Sequence, residues 1–274
     1  MTASEVSSGL WLIGLGPGNL EQMTILARKV AKDCCKLYLE GYTAVLPKEE
    51  EDRLESIVGP WEKIMREGIE MPKAILNEAK TMAVGLLVVG DPMQATTHID
   101  LELYCKEEDI NFHVVPGLSA TSLAISLSGM QSYRFGRQIT LPYPHGNYLP
   151  TSPLELCLQN YENGLHTLVL LDLDPTGMGI EKPNPMQPIF ALNLIEIMMS
   201  KYVSNGGDNV RSSAAVKQWN GILLSDLGSS TEQVIAGTLS ELSDIESGSI
   251  HTLIITAEFS GMEEEAFNRR RRLA

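Results

Sequence analysis

Gly90-Asp91-Pro92-Met93-Gln94-Ala95-Thr96-Thr97-His98 stands between an apolar run, residues 84–89, and the periodic segment 99–105. A buried strand therefore passes through a polar turn into a helix start, which is where open α/β sheets place their ligands. Gly90 lets backbone approach a ligand, Pro92 stiffens the turn, and Thr96 or Thr97 can cap the helix. Asp91 then offers a fixed carboxylate at the mouth of a cleft. A plain capped strand–turn–helix would satisfy the same residues, so the meaning of the stretch depends on a second turn.

That second turn is Gly14-Leu15-Gly16-Pro17-Gly18-Asn19, which follows the short strand Trp11-Leu12-Ile13. A helix is expected over 24–33, a strand over 36–42, and a charged, mostly helical stretch over 48–80, broken by Pro60 and Pro72. Strands over 83–89 and 111–115, with the helix after His98 between them, complete a βαβ pattern with largely parallel strands. Near Val115-Pro116-Gly117 the chain is expected to enter a second half. There, a helix of small residues over 119–130 precedes strands over 137–141 and 167–173. The segment 174–188 is rich in Pro and Gly and reads as a long loop, 189–202 as an amphipathic helix, and 205–209 as a flexible loop. Strands over 221–227, 234–239 and 252–259 close the chain with little helix between them. The fold class is therefore α/β: two α/β domains, 1–115 with a mostly parallel sheet and 116–274 with a mixed sheet, and a cofactor cleft between them.

With 274 residues, 43% hydrophobic and 20% charged, the composition is that of an ordinary globular chain with ample core. A net charge of −14 argues against direct nucleic-acid binding, which needs a basic face. Cys34, Cys35, Cys105 and Cys157 lack zinc or redox spacing and read as buried reduced thiols, and no metal site is expected. No run reaches the ~20 apolar residues of a membrane span, and residues 1–9 lack the regions of a signal peptide. A cytoplasmic location is the expectation.

Gly14–Gly18 is not a dinucleotide fingerprint, because the third glycine would fall on Asn19, and no Gly-Lys-Ser/Thr follows to make a P-loop. Taken together, the two turns resemble those of the tetrapyrrole-methylase-like (class III) S-adenosylmethionine (SAM) methyltransferases. Within them, the chain most resembles the diphthine synthase family. The resemblance is carried by Gly90-Asp91-Pro92 with Ala95-Thr96-Thr97-His98 and by Tyr133-Arg134-Phe135-Gly136. Tyr143-Pro144-His145-Gly146-Asn147, Pro150-Thr151-Ser152, Gly164-Leu165-His166-Thr167-Leu168 and Leu39-Glu40-Gly41-Tyr42-Thr43 extend it, in the right order, over roughly residues 10–260.

The resemblance implies SAM as cofactor, with S-adenosylhomocysteine as product, held by Pro17, Asp91, Gln94, Ser119, Ala120 and Leu171, with Ser230, His251 and Ile254 added by a looser alignment. It implies an acceptor on translation elongation factor 2, whose aminocarboxypropyl-histidine is methylated repeatedly, and a homodimer. The 174–188 segment and the N-terminal extension resemble the eukaryotic form, in which a carboxylate is methylated as well. Pro17, Asn19, Gly117-Leu118 and Ser225-Asp226-Leu227 depart from the family pattern. They leave open a tetrapyrrole or precorrin methyltransferase, or a non-catalytic SAM-binding protein.

Methyl transfer from a sulfonium asks mainly for placement, so proximity catalysis is expected and no proton-transfer residue is named. His98 is read as orienting the Asp91 loop, with proton transfer as the alternative. His166 is read as a structural hydrogen-bonder, and His145 as a candidate for touching substrate. Asp172 and Asp174 end a strand, at a cleft edge or in solvent. Ile195, Ile197, Met198 and Met199 are read as core or dimer interface, and residues 269–272 as a solvated basic end.

Overall fold

The computed structural model describes residues 6–146, 148–179, 183–208 and 215–271. Asn147 of the Tyr143–Asn147 motif, parts of the 174–188 and 205–209 loops, and Arg272 lie outside the described residues. The chain forms two compact units, each with its own five-stranded sheet. The first comprises residues 1–120 with 178–183 and 228–230, and the second the remainder.

In the first unit, β1 (Gly9–Gly14), β2 (Lys36–Glu40), β3 (Glu62–Ile64), β4 (Ala83–Val88) and β5 (Phe112–Val115) lie in the order β3-β2-β4-β1-β5, all parallel. β4 is buried along its whole length, as a continuous apolar run in a parallel sheet requires. The chain passes from β1 to β2 on one side, and from β4 across β1 to β5 on the other. That reversal makes the carboxyl ends of β4, β1 and β5 a topological switch point. Helix α1 (Ile25–Asp33) starts where expected, with the Thr24 hydroxyl accepting from the Ala27 amide at 3.0 Å. The charged stretch 48–80 contains α2 (Lys48–Val58), α3 (Arg66–Glu70) and α4 (Lys73–Ala79), but also β3, which the sequence reading missed. Glu-Lys-Ile carries little strand signal, and it serves at a sheet edge, where charge discourages further pairing.

Helix α5 (Ile99–Glu107) is not capped by Thr96 or Thr97; its N-cap is His98, without a side-chain cap bond. The Thr96 hydroxyl instead donates back to the Pro92 carbonyl at 2.8 Å, so its bonding strengthens the turn rather than the helix.

In the second unit, β6 (Ile139–Leu141), β7 (Thr167–Leu171), β8 (Asn220–Ser225), β9 (Gln233–Thr238) and β10 (His251–Ile255) lie in the order β6-β7-β10-β8-β9. β6 and β7 are parallel and the other pairings antiparallel, so the sheet is mixed. One face packs on α7 (Ser152–Glu162) and α8 (Pro188–Ser204), where Ile195, Met198 and Met199 are core; Ile197 is exposed. The other face packs on α6 (Ala120–Ser128) and α10 (Gly261–Arg270). The basic end is solvated only in part: Arg269 and Arg271 are exposed, the latter pairing with Glu241, whereas Arg270 belongs to α10 and donates to the Leu127 carbonyl at 2.9 Å. The thiols also differ from expectation, since Cys35 is exposed and Cys34 half-buried, whereas Cys105 and Cys157 are buried. Among the described residues, no helix is long and apolar enough to cross a membrane.

Candidate active site

Three turns meet at the carboxyl edge of the parallel sheet because β4, β1 and β5 are neighbours. Gly16 and Gly90 exchange backbone hydrogen bonds, the Gly16 amide donating to Gly90 at 3.2 Å and the Gly90 amide to Gly16 at 3.0 Å. Packing here leaves no room for side chains. A Cβ on Gly117 would stand 2.1 Å from the Gly90 carbonyl oxygen, and one on Gly14 would stand 2.4 Å from the Gly117 nitrogen. These glycines let three backbones interlock.

Gly90 itself is different. Its backbone is buried at φ +82°, yet a Cβ there would meet no atom within 4 Å. A buried backbone facing open space is what a cofactor cradle requires, so the fold fits a bound nucleoside-type ligand at this edge.

Asp91 ties the turns together. Its Oδ1 accepts from the Met93 amide at 2.9 Å and its Oδ2 from the Gly117 amide at 3.1 Å, so one carboxylate sets both the 90–94 turn and the 116–120 turn. Each oxygen retains a lone pair for a ligand. Below the turn, buried His98 uses Nδ1 to hold the Pro92 carbonyl at 2.8 Å, so Nδ1 carries the proton and the ring is a brace for the loop. Ala95 is held at φ +57°, an uncommon conformation for a residue with a Cβ and a local cost that this bracing sustains.

Of the sequence-predicted cofactor residues, Pro17, Asp91, Gln94, Ser119, Ala120 and Ser230 belong to the first unit. Pro17 is buried, Ser119 is buried at the end of the 116–120 turn, and Gln94, Ala120 and Ser230 are exposed. The 228–230 segment joins the glycine turn: the Gln22 side-chain Nε2 donates to the Gly228 carbonyl at 3.4 Å, and a Cβ on Gly228 would stand 2.1 Å from the Pro17 oxygen. Sequence reasoning singled out the turn that begins at Gly14 but missed Gln22 and Gly228 as builders of this edge. The glycines at the strand end and after the Ser225–Leu227 segment were the available signal.

Leu171, His251 and Ile254 belong to the second unit. Leu171 and His251 end adjacent strands; the Leu171 side chain is in the core with α7 and α8, and His251 Nδ1 pairs with the Ser225 hydroxyl at 2.8 Å. Ile254 lies in the opposite core, against α6 and α10, so its side chain and that of Leu171 point to opposite faces of the sheet. His145 is exposed, its backbone paired with Tyr148, and the Asp172 carboxylate accepts from the Tyr143 and Asp174 amides.

His166 has the structural role expected of it. Fully buried, it accepts from the Ala257 amide through Nδ1 at 3.0 Å and meets Glu263 through Nε2 at 3.1 Å. Glu263, also without exposed surface, accepts from the Gln131 and Ser260 amides and pairs with Arg134. These bonds hold the Glu263 carboxyl down at about 2 although burial pushes it upward. Burial pushes the His166 imidazole below its ordinary value, against the opposing pull of Glu263. The Tyr133–Gly136 and Gly164–Leu168 motifs thus meet in a buried polar knot.

Residues 9–243 match the family model of the Tetrapyrrole (Corrin/Porphyrin) Methylases. The chain is 34% identical over 257 residues to the diphthine methyl ester synthase of Saccharomyces cerevisiae, covering 90% of this chain and 83% of the relative. It is 34% identical over 265 residues to the diphthine synthase of Halorubrum lacusprofundi, covering 94% of each. A crystal structure of diphthine synthase shares the fold, with a TM-score of 0.80 at 24% identity over 96% of this chain and 95% of that one. The chain is a methyltransferase and belongs to the diphthine synthase family of the tetrapyrrole (corrin/porphyrin) methylases.

Proposed function

We propose that this chain is a SAM-dependent methyltransferase of diphthamide biosynthesis, which repeatedly methylates the aminocarboxypropyl-histidine intermediate on translation elongation factor 2. The observation that carries this reading is the interlocked glycine edge, with open space in front of the Gly90 backbone and Asp91 fixed beside it. The diphthine synthase relatives supply the pathway and the acceptor.

When bound, SAM supplies a methyl group already activated by its sulfonium charge. Pro17, Asp91, Gln94, Ser119, Ala120 and Ser230 would hold it, and the family resemblance adds Leu171, His251 and Ile254. Asp91 offers acceptor lone pairs to hydroxyl or ammonium donors, while the glycine backbones admit a ligand at close range. The work left to the chain is to hold an acceptor lone pair in line, about 3 Å from the methyl carbon, and to exclude water. The reading includes a homodimer in the cytoplasm, which the family resemblance supports. It includes no direct partner in nucleic acid, in keeping with the net charge of −14.

Purified protein given radiolabelled SAM should transfer label to elongation factor 2 bearing aminocarboxypropyl-histidine. A folded sample that binds SAM but leaves this acceptor unlabelled rejects the assignment, and labelling of uroporphyrinogen instead would place the chain on the tetrapyrrole branch. Mass spectrometry of the product separates three methyl groups from four.

A further inference from the structure

β6 and β7 run parallel, so their carboxyl ends open on one edge of the second sheet, the kind of edge at which parallel strands hold ligands. An aromatic surface gathers there. The Tyr143 and Phe190 rings meet with centroids 5.2 Å apart at an interplanar angle of 40°. The Tyr143 hydroxyl donates to the Asn184 carbonyl at 3.1 Å, which fixes the ring against which Phe190 rests. His145 and Tyr148 exchange backbone hydrogen bonds at 2.9 and 3.0 Å, closing the turn that carries Tyr148 outward. Phe190 is 38% exposed, its neighbour Ile189 49% and Tyr148 69%. Exposed apolar groups gathered at one edge mark an interaction site.

Charge decides what kind of partner fits. Asp172 stands where β7 ends; its Oδ2 accepts from the Tyr143 amide at 3.0 Å and its Oδ1 from the Asp174 amide at 3.1 Å. No cation pairs with it among the described residues, and each oxygen retains a lone pair. Lys201 reaches the Leu149 carbonyl at 3.5 Å and not this carboxylate. Burial, with repulsion from Asp172, pushes the Tyr143 phenol above its ordinary value, so the negative charge lies close to the rings. Aromatic faces beside an unpaired carboxylate suit a basic group flanked by apolar ones. A second copy of this chain fits poorly, because it would set Asp172 against Asp172 between molecules of net charge −14.

We propose that this edge docks the protein acceptor, with Tyr148, Ile189 and Phe190 covering an apolar stretch of it and Asp172 pairing with a basic side chain in that stretch. The inference rests on the functional reading above. An enzyme that modifies one side chain of a large protein gains orientation from contacts remote from the reacting group. Leu171, which the family resemblance adds to the donor site, immediately precedes Asp172, so the docked stretch lies one residue along the chain from that part of the site. Tyr143 is a positioning residue that acts through Phe190.

Phe190→Ala, Tyr148→Ala and Asp172→Asn are assayed for label transfer to intact elongation factor 2 bearing aminocarboxypropyl-histidine. SAM binding is measured by calorimetry and molar mass by light scattering. KM for the acceptor should rise about tenfold in Phe190→Ala and several-fold in Tyr148→Ala, with kcat and the Kd for SAM within about twofold of native. Phe190→Tyr, which keeps a ring, should restore most of the affinity. In Asp172→Asn the rise in KM relative to native should shrink as salt is added, because the pairing it removes is itself screened. Unchanged KM in Phe190→Ala and Tyr148→Ala overturns the inference. So does a fall in molar mass in step with the rise in KM, which would give the surface to a second copy, or a matching loss of SAM affinity, which would give it to the donor. If Asp172→Asn does not fold, the two variants at exposed aromatic positions decide alone. A native protein that binds SAM but labels no acceptor fails the functional reading and this inference with it; an active native protein with indifferent variants fails the inference alone.

Discussion

The glycine edge of the first unit and the Glu263 knot of the second each take in family motifs, Gly90-Asp91-Pro92 in one and Tyr133–Gly136 with Gly164–Leu168 in the other, yet they work in opposite ways. In the first, backbone is packed so closely that side chains are excluded, and a buried turn is left facing open space at Gly90. In the second, side chains fill the interior: Glu263, His166 and Arg134 satisfy one another and the surrounding amides, and Glu263 and His166 have no exposed surface. A motif that satisfies itself is a device for folding, whereas a motif that leaves room is a device for binding. The contrast can be broken or sharpened by substitutions that separate stability from ligand affinity.

The largest effect is expected from Glu263→Ala. Removing one partner from a buried charged network strands the others and should cost about 3–5 kcal/mol in urea unfolding. SAM affinity per folded molecule should be unchanged; a selective loss of binding would erase the distinction between the two regions.

Acid should reveal the same knot without mutation. Glu263 falls from an ordinary 4.5 to about 2 in the folded state, so its contribution is present above pH 4.5 and lost as pH drops from there towards 2. That contribution is on the order of 3 kcal/mol. His166, kept neutral by burial, adds a loss that begins as pH falls below about 6.5, because the unfolded chain takes up the proton more readily. Unfolding free energy measured against pH should show both, and Glu263→Gln should remove the lower one.

Gly117→Ala should cost about 1–3 kcal/mol of stability, since its Cβ would overlap the Gly90 carbonyl, and it should also weaken SAM binding at least tenfold by parting the turns. Gly90→Ala is the milder partner. Its cost to stability is the left-handed backbone, about 1–2 kcal/mol, while its methyl enters the space assigned to ligand. It should therefore lose more affinity relative to stability than Gly117→Ala, and calorimetry beside thermal unfolding compares the two.

Periodicity and turn chemistry made most of the fold legible. The run 84–89 announced a fully buried strand, and the two glycine turns announced ends of strands that proved to be neighbours. What was missed has physical causes. β3 is three residues long and charged, so its pairing comes from the adjacent β2 rather than from its own propensity. α10 was hidden by its charge, because only Phe267 and Glu263 are buried along it, and a buried glutamate reads as solvent-facing until its partners, 97 and 129 residues away, are known. Thr96 looked like a helix cap because a strand–turn–helix allows it; the Pro92 carbonyl, which the His98 ring also holds, drew its hydroxyl instead. The same limit applies to Leu171 and Ile254, which lie on adjacent strands but whose side chains point to opposite faces of the sheet.

A crystal grown with S-adenosylhomocysteine tests the central claim most directly. The product should lie against the backbones of Gly16 and Gly90, within hydrogen-bonding distance of Asp91 and over the open space at Gly90. Density for the product anywhere else, with that space filled only by water, would contradict the assignment of this edge as the methyl-donor site.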